Sequence, residues 1–204
     1  MRISLVRSLI LIAAIASGLS AQRRAISAPA LPPAPFAQPE FDAVFRYDSF
    51  QNRILGGEGL VTRYVDGAGR GGARFGVFFA DNPASPLVYD VDTVAALFPL
   101  STGRHVRFIA SRGDLQWLYD ARVVGTERIT TPAGTFDTWV VETIEAPKIT
   151  PSPATARTNI STFWYAPSVR NIVRLMVIST TPTGRKTLRK VELRSIVRHG
   201  AAAR

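Results

Sequence analysis

Two histidines, His105 and His199, and no cysteine are all that this 204-residue chain offers for imidazole or thiol chemistry. Disulfides, Cys-type zinc sites and Cys–His nucleophiles are therefore excluded. The histidines lack the HxxxH or HxH spacing that puts two ligands on one element. His105 with a serine and Asp114 or Asp120 is the one combination from which a hydrolytic triad could be assembled. No GxSxG nucleophile elbow accompanies it. Asp90 and Asp92 fit a turn and a helix cap, with Asp92 as the N-cap and Pro99 as the stop of a short helix over residues 92–98. The glycine-rich run at 69–72 lacks the Lys-Ser/Thr pair of a phosphate-binding loop and reads as a turn. The expectation is that no catalytic, metal-binding or cofactor-binding residues are present, and that no cofactor is used.

Charge carries more information. The formal net charge is +10, yet from residue 157 onward ten basic residues stand against Glu192 alone, so nearly all the excess lies in the last quarter of the chain. Lys186, Lys190, Arg194 and Arg198 recur every four residues, which in a strand keeps them on one side, with Glu192. Val191, Leu193 and Val197 then share the other side. Such a row is suited to an anionic lipid surface or another polyanion. It is equally what a solvated outer face looks like in a chain with 22 arginines and 3 lysines. Nucleic acid is not expected, because no nucleic-acid-binding motif is present.

The elements that must position these groups are strands. Residues 122–145 form the clearest unit: β-branched and aromatic runs flank Thr131-Pro132-Ala133-Gly134. Pro132 fixes φ at the turn, and Gly134 can take φ > 0, as a turn followed by a bulge requires. On that basis Gly134→Val is expected to destabilise, and Gly134→Asn to do so less. Alternation predicts further strands at 41–50 (with Phe41, Ala43, Phe45 and Tyr47 on one side), 60–65, 74–80, 105–110, 115–123, 159–165, 169–180 and 186–198, and a short one at 87–89. Residues 146–156, with three prolines, read as a loop. The Asn159-Ile160-Ser161 sequon falls inside a strand and reads as chance. Phe75, Phe78, Phe79, Trp117, Tyr119, Phe136, Trp139, Trp164 and Tyr165 are core by default; in an incompletely filled barrel they would line a ligand cavity.

The predicted fold class is all-β, a mostly antiparallel curled sheet or barrel with at most one short helix. A doubly wound fold is excluded by the lack of βαβ alternation. An outer-membrane barrel is disfavoured because the predicted strands fall short of the ~9–11 residues a spanning strand needs. Residues 1–21 have the basic start, apolar centre and small-residue end of a signal peptide, with cleavage expected after Ala21. Residues 22–39, rich in Pro and Ala, read as a linker. Residues 40–198 form a single β domain, and 199–204 a frayed tail. The expected location is periplasmic.

Four segments resemble a known family. They are LFPLSTGRHVRF (97–108), VVGTERITTPAGTFDTWVVE (123–142), FWYAPSVRNIVRL (163–175) and VELRSI (191–196). Together they resemble the exported bacterial proteins of domain of unknown function 3108 and its relatives. Ser168 stands where that group has glycine, and Arg170-Asn171 where a second glycine is usual, with one extra residue. The resemblance implies a periplasmic, β-rich fold with few helices and brings no catalytic residues with it. Some relatives are similar to carriers that shield lipids in a curled sheet. The expected function is that of a non-enzymatic exported cell-envelope protein binding a hydrophobic ligand or an anionic surface. A lipid or an anionic envelope polymer is the expected partner, with peripheral membrane contact. A hydrolase acting on envelope material, or a structural or assembly module, is the alternative. The sequence leaves the oligomeric state open.

Overall fold

The computed structural model describes residues 30–81, 84–150 and 156–198. The expected leader, its cleavage point, residues 22–29, His199 and the tail lie outside the described residues. Eleven strands make one antiparallel sheet: β1 (Val44–Tyr47), β2 (Gln51–Glu58), β3 (Val61–Asp66), β4 (Gly71–Phe75), β5 (Phe79–Asp81), β6 (His105–Arg112), β7 (Leu115–Thr131), β8 (Gly134–Ile149), β9 (Thr158–Ala166), β10 (Asn171–Thr180) and β11 (Lys186–Val197). Their order is β5-β4-β3-β2-β1-β11-β10-β9-β8-β7-β6. The chain therefore steps outward from β1 to β5, crosses over, and steps back inward from β6 to β11, where β11 pairs with β1.

The sheet is curled, and its two edges meet through side chains. Phe79 of β5 lies 5.2 Å from the Phe108 ring and 5.4 Å from the Tyr119 ring, and Arg112 reaches Asp81 at 3.2 Å. β5 and β6 share no hydrogen-bonded ladder among the described residues. The strand-length argument against a membrane barrel does not hold, since β7 and β8 run to 17 and 16 residues.

Strand alternation sends successive side chains to opposite faces, and in β8 and β9 both faces are buried. Trp139, Val141, Phe163 and Tyr165 join one core cluster with Phe75, Phe79, Leu97 and Phe108. Val140 and Trp164 join a second, with Phe45, Ile129, Val173 and Leu193. The first is filled from above by the one helix among the described residues, α1 (Val91–Ala95), and by Leu97 and Leu100 after it. Asp90, rather than Asp92, caps α1: its carboxylate accepts from the backbone N–H groups of Asp92 and Thr93.

The second core exists because the central hairpin bends. β7 and β8 meet in a two-residue loop, Pro132-Ala133, with Thr131 opposite Gly134. Gly134 has φ +132°, so the turn does need glycine, but the bulge expected beside it is absent. The bulge lies further down, where Val123 pairs with Val141 and Gly125 with Val140, and Gly125 takes φ +151°. An extra residue on one strand kinks the pair. The tip then crosses β9–β11: the Ala133 N–H donates to the Leu193 carbonyl, Arg174 to the Thr130 carbonyl at 2.9 Å, and Trp164 Nε1 to Glu127 at 2.8 Å.

Several expected elements change. Phe41 is 70% exposed and outside β1, because Asp42 at φ +61° turns the chain before the strand begins. β2 was not expected: Gly56 and Gly57 break its pattern, and its register slips between Ile54 and Gly56. The strand predicted at 74–80 is two strands, β4 and β5, joined by Gly76-Val77-Phe78, with Gly76 and Val77 both at positive φ. β8 extends into the predicted loop, with Pro147 opposite Trp117. The Pro-rich stretch is not a free spacer over its described part. Ala34 pairs with Leu100, Phe36 packs edge-on to Phe98, and Gln38 donates to the Val61 carbonyl while accepting from the Thr62 hydroxyl. At the turn before β10, Arg170 takes φ +53°, a conformation that glycine would adopt freely.

Candidate functional site

Register lays out the floor of a cavity. Three rows of side chains run across one face of the sheet from β7, two of them as far as β11 and the third as far as β10. The first is Val123–Val141–Phe163–Leu175–Val191, wholly apolar. The second is Ala121–Thr143–Ser161–Val177–Arg189. The third is Tyr119–Glu145–Asn159–Ser179, wholly polar at its tips. Neighbouring strands lie ~4.8 Å apart and alternate residues on a strand ~6.8 Å apart. The floor thus passes from apolar to polar within about two such steps. β1–β5 supply the opposite wall, with Tyr47, Tyr64, Arg74, Val77, Phe78 and Phe79. Between the walls lies a partly open cavity of about 280 Å³.

At the polar end, Asn159 links Glu145 to Ser179, whose hydroxyl donates to Asn159 Oδ1 at 2.7 Å. Burial pushes the Glu145 carboxyl above its usual range, against the opposing pull of its bond from Asn159. Burial, then the neighbouring Glu145, pushes the Tyr119 phenol far up, so it stays protonated and a donor. Tyr165, in the first core, is pushed up by burial to about 12.

At the other wall, Arg74 stands over the Tyr64 ring at 5.2 Å, with the Tyr47 phenol beside it. With its amide oxygen turned inward, Asn52 accepts from Arg74 Nη2 at 3.1 Å. The Tyr47 hydroxyl donates to the Ile172 carbonyl at 2.9 Å, tying the two walls together. Tyr47 stacks on Phe50 at 4.6 Å, and Arg189 lies over Phe50 at 5.8 Å. Neither Arg74 nor Arg189 has a carboxylate within ion-pair distance among the described residues.

Of the aromatic residues singled out from the sequence, Phe78, Phe79 and Tyr119 line the cavity. Phe75, Trp139, Tyr165 and Trp164 are core, Phe136 packs at the edge of the second cluster, and Trp117 at the edge of the first. Sequence reading missed Arg74, Tyr47, Glu145 and Asn159. The available signal was polar residues at inward positions of otherwise apolar strands, Glu145 and Asn159 above all.

The basic row is not continuous. Lys186, Lys190, Arg194 and Arg198 are all exposed. Lys190 sits 3.0 Å from Glu192, which also accepts from Arg174 at 2.7 Å, and Arg198 pairs with Glu40 at 3.0 Å. A bulge at Arg194 shifts the pleat: Tyr47 pairs with Leu193 and Arg46 with Ser195. Ile196, rather than Val197, therefore packs with Leu193 against the second core. Arg198 falls out of line with Lys186 and Lys190 for the same reason.

His105 does meet Asp120, with Nε2 at 2.8 Å from Oδ1. Asp120 also takes Arg107, across the β6–β7 ladder, and their bonds hold its carboxyl low against the opposing effect of burial. No hydroxyl partners His105 among the described residues. The pair belongs to a charged ladder on the solvent face, beside Arg122 and Glu142, which are 2.8 Å apart.

The molecule is thus a curled antiparallel β-sheet protein with an internal cavity and a short helical plug. The chain belongs to the protein family of unknown function DUF3108, whose model matches residues 80–193. Similar solved structures include a candidate exported protein with YmcC-like fold from Bacteroides fragilis (15% identity, TM-score 0.44, covering 81% of this chain and 100% of that one). A candidate lipoprotein from Parabacteroides distasonis is similar at 14% identity and a TM-score of 0.43, covering 82% and 100%. The hypothetical lipoprotein YmcC from Escherichia coli is similar at 10% identity and 0.43, covering 95% and 96%. No curated protein matches the chain.

Proposed function

We propose that this protein is a non-enzymatic component of the cell envelope, exported to the periplasm, that holds a hydrophobic ligand in the cavity of its curled sheet. The observation that carries the reading is the cavity itself. Its volume is close to the lower end of small-molecule sites, its first floor row is wholly apolar, and a few polar groups converge on it. Residues 1–21 support the export half of the reading by their composition. Native mass spectrometry of protein purified from its own periplasm tests both halves. The expected result is a mature chain beginning near Gln22 with a co-purifying small amphiphile. A bare chain, together with no binding of any apolar probe, would overturn the ligand reading. Recovery of the chain only in the inner membrane, with residues 1–21 retained, would overturn the export reading.

A second reading, contact with an anionic surface, is favoured by Lys186 and Arg194, which are exposed and have no ion-pair partner among the described residues. Co-sedimentation with anionic but not neutral vesicles, weakening as salt rises, is its expected signature.

A further inference from the structure

We propose that the cavity takes a single-chain amphiphile with an anionic head, the head on the Arg74 guanidinium and the chain along the Phe163–Leu175–Val191 row. The inference rests on the ligand reading above and specifies the ligand's class.

Three observations carry it. First, Arg74 is half-buried on a cavity wall without a carboxylate partner among the described residues. A charge taken out of water is retained where something compensates it, and here only neutral groups, Tyr47, Asn52 and the Tyr64 ring, hold the guanidinium. These groups fix its orientation and leave its charge unbalanced. The planar fork of arginine suits the two oxygens of a carboxylate or phosphate. Arg189, also without a counter-ion, stands across the stacked Tyr47–Phe50 pair and adds positive potential on the same side.

Second, the space matches a short chain. A volume of 280 Å³ is room for about nine groups the size of a water molecule at ~30 Å³ each. That is a head and about seven or eight methylenes, and the cavity is partly open, so the end of a ten-carbon chain can extend out of it. Phe78 and Phe79 close over the apolar row from the other wall, with Phe78 5.4 Å from Phe163.

Third, the wall is strained where it meets this space. Val77 is buried on the cavity lining at φ +68°. A β-branched residue at positive φ is a true outlier, of the kind that clusters at ligand-holding sites. The cavity's own carboxylate, Glu145, is engaged by Asn159 and forms no ion pair with either arginine.

The test is calorimetric titration of the whole protein, below micelle-forming concentrations, with decanoate, decyl phosphate, decanol and decylamine. Decanoate or decyl phosphate should bind roughly tenfold or more tighter than decanol, the increment that a charge-assisted hydrogen bond supplies. Which of the two binds tighter distinguishes a fatty-acid head from a phosphate head. Arg74→Gln should reduce the anionic probes to the level of decanol and leave decanol unchanged. Arg63→Gln, exposed and away from the cavity lining, should change nothing. Equal binding of decanol and the anions by the wild type, or tighter binding of decylamine, would overturn the anionic head while leaving a hydrophobic ligand in place. Binding of none of the four would overturn both readings. The wild-type comparison decides the matter even if Arg74→Gln does not fold.

Discussion

The cavity wall supplied by β7–β11 is laid out by register, whereas the wall supplied by β1–β5 is laid out by turns and bulges. In the first, β8, β9 and β10 stay in phase over Val141–Phe163–Leu175 and the rows beside it, so the floor follows from strand alternation alone. In the second, Asp42, Gly76 and Val77 take positive φ, and the β2–β3 register slips at Leu55. The family match, residues 80–193, takes in nearly all of the regular wall and stops short of Arg74, Tyr47 and Tyr64. The regular wall provides shape and apolar surface. The irregular wall provides the charged group and the aromatic cover, and irregular backbone is what lets short strands aim them inward.

The largest expected effect tests whether the walls share one core. Phe163→Ala removes a ring packed against Phe78 and Val141's neighbours, and should cost about 3–5 kcal/mol in urea denaturation. A loss under about 1 kcal/mol would mean the walls are energetically separate.

The next contrast sets one substitution against itself. Val141→Gly, in extended and fully buried strand, should cost about 3 kcal/mol, from lost burial and from glycine's backbone entropy. Val77→Gly loses a similar side chain but relieves positive-φ strain of order 1–3 kcal/mol, so its net change should stay within about 1 kcal/mol. Equal losses at the two sites would show that Val77 is not strained.

Gly134→Val probes the turn that sets the regular wall's register, and should cost about 1–3 kcal/mol in thermal melts. The milder effect first expected for Gly134→Asn no longer follows. Asn tolerates the left-handed region near φ +57°, and Gly134 at +132° lies well beyond it.

The smallest effect depends on pH. Burial raises the folded-state pKa of Glu145 above its unfolded value, so ionisation destabilises the fold. The penalty is absent below the unfolded pKa, grows as pH rises through it, and is complete above the folded pKa. Glu145→Gln should therefore raise Tm at pH 7 and leave it unchanged near pH 3. A lower Tm at pH 7 would mean that the Asn159 contact outweighs burial.

How much of this was legible in the sequence follows the same division. The β7–β8 hairpin, its Pro132-Ala133 turn and strands β9 to β11 were visible because long alternating runs are a strong signal. β2 was not, because Gly56 and Gly57 interrupt it, and β4–β5 merged into one run because Val77 looks like a strand residue while adopting a turn conformation. The basic row was read as straight because alternation alone cannot reveal the bulge at Arg194. Of the site, the possibility that aromatic residues line a cavity was legible. The placement of Arg74 was not, since it depends on Tyr47, Asn52 and Tyr64, from three other strands.

The pairing of β1 with β11 also sets an order of events. A chain emerging from its N-terminus presents β1 with one neighbour, β2, and an open ladder on its other side. The partner for that side, beginning with Val197 opposite Val44, arrives only after every other strand has been made. Closing so long a loop is entropically costly, and folding dominated by distant contacts is slow. Closure of the β1–β11 pair is thus deferred until β11 has been made. Until then the exposed β1 edge is a pairing hazard that a holding chaperone would have to cover. A circular permutant opened between β5 and β6, where no ladder is crossed among the described residues, would keep every described strand pair and turn β11–β1 into a local hairpin that forms early.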